Sequence, residues 1–235
     1  MDIQPPSAAG RRLPQLARQR FVESLCAAAP ELDKKIHAFL AELMAQTATQ
    51  RDMQLRRDAS LSYQAHRKAW VEDVVRAWRE GLAPQQPVSA ATPLDGGLAL
   101  VDDDVVENKL LASRMALTVI EHVGAVFEAA RQRTQYLDGR ELSDRDILRP
   151  EALCLRLVDA WVDTGLTRNE LQLVLHPLQT TLGELALTQY QALMRLYDEH
   201  GVVTAEELRT RQLRAAATSR SASLGRDRAG AGLGR

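Results

Sequence analysis

Charge of one sign is missing from this sequence: 30 Lys and Arg stand against 31 Asp and Glu, a formal net charge of -1 at pH 7. No whole-protein field draws the chain to nucleic acid or to an anionic membrane, so any charged site has to be local. Cysteine is scarce as well. Cys26 and Cys154 stand far apart in separate helical patterns, which excludes a disulfide framework and a Cys-x-x-Cys metal knuckle and leaves two reduced, buried small hydrophobes as the expectation. The opening Met1-Asp2-Ile3-Gln4-Pro5-Pro6 has no apolar leader core, and no later run is expected to reach bilayer-spanning length. The expected location is the cytoplasm.

Motifs of catalysis are missing too. The chain has no Gly-x-x-x-x-Gly-Lys-Ser/Thr phosphate loop, no Gly-x-Gly-x-x-Gly, no Gly-x-Ser-x-Gly elbow and no His-Glu-x-x-His pair. His37, His66, His122, His176 and His200 are each isolated, and none has a second His one helical turn away to make a two-ligand face. The residues therefore offer no catalytic group, no cofactor site and no metal site. Asp102-Asp103-Asp104 reads as acids complementing a helix start rather than a cation loop, which would need ligands spaced around a glycine turn. Arg51, Arg56, Arg57, Arg67 and Lys68 are interleaved with Asp52, Asp58, Glu72 and Asp73, the pattern of a solvated helix face rather than a phosphate-tracking groove.

What the sequence has is helix. Aromatics are only 4% of residues, while unbranched side chains that lose little rotamer freedom in a helix crowd the periodic stretches. The expected fold is all-α, an irregular helical bundle with one long helix, an internal Pro/Gly linker and disordered termini. The organisation expected is an arm at 1–12, an N-terminal helical region at 13–81, a linker at 82–99, a C-terminal helical region at 100–217 and a basic tail at 218–235. Pro14 should open a first helix that ends near Ala28, and a second should follow Pro30. That second helix should be the long one, running from about residue 30 to 81 with a kink near Thr47 to Gln50. Beyond the linker, Val105, Leu110, Leu111, Met115, Leu117, Ile120, Val123 and Phe127 mark a helix ending before Gly139.

Local chemistry marks further boundaries. Pro150 suits a first helical turn, and Gly165 suits a left-handed cap. Thr167-Arg168-Asn169-Glu170 reads as a capping box opening a helix that stops at Gly201 and is kinked at Pro177. Thr204 to Glu207 reads as another box opening a short last helix. Trp70, Val74 and Trp78 fall near one helical face; they read either as core or as an aromatic anchor for a partner helix, and they are the candidate partner-binding residues.

Three stretches carry a family resemblance: Leu100-Val101-Asp102-Asp103 after the linker, Leu148-Arg149-Pro150-Glu151-Ala152-Leu153-Cys154, and Leu196-Tyr197-Asp198-Glu199-His200-Gly201-Val202. With them the chain resembles, over roughly Pro14 to Leu208, the N-terminal part of a large bacterial family of unknown function, domain of unknown function sixteen thirty-one. The resemblance implies no catalytic residue, because the family has none established. Some longer members bear the label thymidine phosphorylase; this chain has neither the glycine-rich phosphate loop nor the strand-helix alternation of such a domain.

The expected function is thus a non-catalytic helical interaction module with a protein partner or self-association, not an enzyme. Nucleic acid is expected only as a non-specific partner of the basic tail, and no membrane insertion is expected. A small-molecule or nucleotide-responsive regulator, its pocket lying between helices, is the alternative reading, with thymidine phosphorylase a third that rests on the family label alone.

Overall fold

The computed structural model describes residues 8–83 and 103–203. Every regular element among the described residues is an α-helix: α1 (Ala8–Ala45), α2 (Gln50–Glu80), α3 (Asp103–Asp138), α4 (Pro150–Asp163) and α5 (Arg168–Glu199). The chain divides into two compact units, Met1–Arg195 and Leu196–Arg235. Most of the expected linker, the helix expected at Thr204 and the basic tail at 218–235 lie outside the described residues, as do residues 1–7 of the expected arm.

The first helix differs from its expected form. Helix α1 already begins at Ala8 and runs through both Pro14 and Pro30, so the boundaries expected at Pro14 and between Ala28 and Pro30 are absent. An internal proline removes one backbone hydrogen bond and crowds the carbonyl four residues back, at a cost of about 3 kcal/mol or more. Packing on both sides of Pro30 offsets that cost: Leu25, Cys26 and Ala29 before it, and Leu32 and Ile36 after it, are all buried. Tertiary burial overrides local propensity here.

The long second helix begins at Gln50, after a break at 46–49 where a kink was expected. Thr49 explains the new start. Its backbone is extended and its hydroxyl accepts from the Asp52 amide (3.2 Å), as an N-cap does. Arg56 Nη1 donates to Leu43 O (2.8 Å) and Gln46 O (3.2 Å), serving carbonyls left over at the end of α1. The two helices form an antiparallel hairpin. Cys26 meets Val75 O, Asp33 meets Arg67 and Leu43 O meets Arg56, so partners on α2 fall as α1 advances.

The remaining boundaries follow the local chemistry. Helix α3 stops at Asp138, where Gly139 takes a φ of 68° and its amide donates to Gln135 O (2.8 Å). Pro150 occupies the first turn of α4, and Gly165, with φ of 89°, follows its end. The capping box is present in both directions: Thr167 N donates to Glu170 Oε2 (2.6 Å), and Glu170 N donates to Thr167 Oγ1 (3.3 Å). In the second unit, Val202 N donates to Tyr197 O (2.9 Å) and Gly201 N to Asp198 O (3.0 Å), the paired bonds of a Schellman ending.

Polar ties fix the segment between α3 and α4. Arg18 Nη2 donates to Asp138 Oδ2 (2.6 Å) and Asp146 Oδ2 (2.7 Å), joining the start of α1 to both ends of that segment. Asp146 Oδ1 also accepts from the Leu148 amide (3.0 Å). Ile147 and Leu148 are thereby turned inward and buried.

Candidate interaction surface

The aromatic residues singled out in the sequence lie in the core. Trp70, Val74 and Trp78 are at most 1% exposed, so none presents a face to a partner in this packing. Their neighbours are intramolecular. Trp161 of α4 stands edge-on to Trp70 (centroids 5.3 Å apart) and stacks on Tyr63 (5.7 Å), while Trp78 Nε1 donates to Leu153 O (3.3 Å). Asp33 closes this cluster toward solvent, accepting from Tyr63 Oη (2.9 Å) and from Arg67 Nε (2.8 Å). Burial, with the Asp33 charge as the next cause, pushes the Tyr63 hydroxyl well above its ordinary range, so it stays a donor.

The motif Leu148 to Cys154 is where helices converge. Tyr190 of α5 donates to Leu148 O (2.6 Å), Trp78 of α2 donates to Leu153 O, and Cys154 is fully buried. Both cysteines are free thiols, and burial raises each thiol above its ordinary value. The motif is therefore a packing junction that holds α4 against its neighbours. No chemistry follows from it.

The surface feature that stands apart is the outer side of α3. Met115, Val119 and Val123 face the core, yet Val105, Val106, Leu110 and Leu117 are exposed, the two leucines at 64% each. At about 100° per residue, Leu110, Leu117 and Gly124 lie within about 40° of Val106 and on the opposite side from Met115. A helix apolar on both sides is normally covered on both. Gly124 leaves the row open, because a Cβ there would meet nothing within 4 Å.

By length and composition alone α3 also passes as a membrane span, since one stretch of 18 residues within it has a mean hydropathy of 1.4, which corrects the expectation that no run reaches that length. Core helices of globular proteins meet the same test, and α3 packs its inner side into the protein.

Beside this face a groove of about 500 Å³ runs between α3, α4 and the segment joining them. Its walls carry both signs: Lys109, Arg145 and Arg156 against Asp144, Glu151 and Asp159. Burial raises the Asp159 carboxyl above its usual range, opposed by a hydrogen bond from Asn108 Nδ2 (3.0 Å) and reinforced by Asp163. Burial lowers Arg156, whose Nη1 donates to Ala77 O (2.9 Å). Arg168 Nε donates in turn to Asn108 Oδ1 (2.9 Å), so one polar chain links α5, α3 and α4. Among the described residues no group of three His, Cys, Asp or Glu could hold a metal ion.

The basic stretch of α2 is used structurally in part: Arg67 pairs with Asp33 and Arg56 caps α1, while Arg51, Arg57 and Lys68 are exposed. Asp104 of the acidic run pairs with Arg168 (3.0 Å) across the starts of α3 and α5. In the sequence Leu110 and Leu117 fall in one apolar pattern with Met115. Their angular separation was the signal that sets them apart. The groove had no linear signal, since its walls come from separate segments.

No curated protein and no solved structure matches the chain. A family model does, the N-terminal domain of a protein of unknown function (DUF1631), over residues 9–201. That match takes in the packing junction at Leu148 to Cys154, the whole of α3 and nearly all of the described helices, and the chain accordingly belongs to the DUF1631 family.

Proposed function

We propose that this chain is a non-catalytic helical module for protein interaction, and that its contact face is the outer side of α3. The supporting observation is the exposed row of Val106, Leu110 and Leu117 on a helix whose other side is already in the core. Exposed apolar side chains in a contiguous row mark interaction sites, whereas scattered ones need no explanation. The two buried, unpaired thiols fit a reducing, cytoplasmic setting. The test is affinity capture from a bacterial lysate with the wild type and with Leu110→Glu/Leu117→Glu. One protein retained in stoichiometric amount by the first and lost by the second supports the reading; identical captures defeat it.

The groove favours a second reading, a regulator that binds a small polar molecule between α3 and α4. A ligand carrying both charges, or a nucleotide, would find Lys109 and Arg145 opposite Asp159 and Glu151. A melting temperature raised by such a ligand, and no longer raised in Lys109→Ala, would favour this reading over the first.

A further inference from the structure

We propose that α3 pairs with α3 of a second copy of this chain, antiparallel and about a two-fold axis. This rests on the reading of α3 as the contact face and names its occupant. Val106, Leu110, Ser113 and Leu117 follow one another at spacings of four, three and four residues, the alternation of a coiled-coil seam, and all four are exposed. An isologous pair must be complementary to itself, and this row is. Setting Leu117 of one copy beside Val106 of the other places Leu110 beside Ser113, a large residue beside a small one, and the same layers recur by symmetry. In that register Arg114 falls next to Glu107 of the other copy, twice.

Arg114 is exposed and has no ion-pair partner among the described residues, while Glu107 is 60% exposed and reaches Arg168 only at 3.4 Å. The opposite arrangement is disfavoured by charge. In a parallel pair, Lys109 of one copy would come beside Arg114 of the other. The exposed row is short, so the pair belongs with small interfaces and weak, reversible association.

Sedimentation equilibrium of the full chain from about 5 to 500 µM tests the proposal. The wild type should pass reversibly from one chain mass to two, and Leu110→Glu/Leu117→Glu should stay at one. Arg114→Glu and Glu107→Arg should each weaken association about tenfold or more alone, because each sets like charges against each other. Mixed in equal amounts they should associate again, because the mixed pair restores two opposite-charge contacts. A wild type that is a single chain at 500 µM overturns the proposal, as does a dimer indifferent to the leucine pair or a mixture no tighter than its components. The broader reading of α3 fails separately, when lysate capture is unchanged by the leucine pair.

Discussion

Helices α2 and α3 are nearly equal in length, 31 and 36 residues, and they solve the same problem differently. In α2 the buried residues Ala59, Tyr63, Trp70, Val74 and Trp78 form one narrow stripe, and the rest of the surface is polar or charged apart from Leu55 and Leu61, which stand about 120° apart around the helix and form no row. Large aromatic side chains let that stripe fill the core from few positions. In α3 the inner side is built from smaller residues such as Ala112, Met115, Ala116 and Val119, and a second apolar row faces outward. One helix is complete when packed on its own chain. The other leaves an apolar row exposed, and the proposed contact face rests on that difference.

The inner sides should behave alike, and the largest effects are expected there. Trp70→Ala on α2 and Met115→Ala on α3 each empty a site at most 1% exposed, so each should cost about 2–5 kcal/mol in chemical denaturation, the tryptophan more. A loss confined to Trp70 would mean that α3 is not docked on its inner side.

A smaller contrast lies within α2 itself. Trp78 Nε1 is bonded to Leu153 O, whereas the equally buried Trp70 Nε1 has no partner among the described residues. A buried donor left unsatisfied costs about 1–3 kcal/mol, and replacing it by carbon recovers that cost. Trp70→Phe should therefore destabilise less than Trp78→Phe by about 1 kcal/mol. Equal losses in denaturant melts would mean that the Trp70 indole has found an acceptor.

How far these features were legible in the sequence follows the range of the forces involved. Thr167 and Glu170, Pro150, Gly165 and Gly201 act on backbone groups a few residues away, and each marked its helix end correctly. Pro14 and Pro30 misled, because whether a proline interrupts a helix depends on what the flanking residues bury, and those partners are distant in the chain. The Arg18, Asp138 and Asp146 cluster and the groove around Asp159 join segments with no local relation, so no motif announced them. Trp70 and Trp78 were seen as one face; only the packing of Trp161 decided that the face was internal.

Asp159 supplies a pH test of the polar chain beside α3. Its folded-state carboxyl lies above the unfolded value because of burial, so the folded form binds the proton more tightly. Its contribution is then fully present below the unfolded value of about 3.9 and is lost as pH rises through the folded value. Asp159→Asn keeps an oxygen for Asn108 and removes the charge. The variant should match the wild type in acid and melt slightly higher at neutral pH. A wild type that gains on the variant as pH rises would show that Lys109 and Arg156 outweigh the desolvation.

The smallest effect is the most informative. Leu61 on α2 and Leu117 on α3 are similarly exposed, at 56% and 64%, and neither contributes much to the stability of a single chain. Leu61→Glu and Leu117→Glu should each change the denaturation free energy at low protein concentration by no more than about 0.5 kcal/mol. At high concentration they should part. Association stabilises the folded form by mass action, so the wild type and Leu61→Glu should melt at rising temperature as concentration increases. Leu117→Glu should show no such rise, because a charge in the outer row of α3 removes the contact without touching the core. If both leucines prove equally silent at every concentration, the outer side of α3 is surface like that of α2. If Leu117→Glu instead unfolds the dilute chain, the row is part of the monomer's own packing, and the contrast between the two helices disappears.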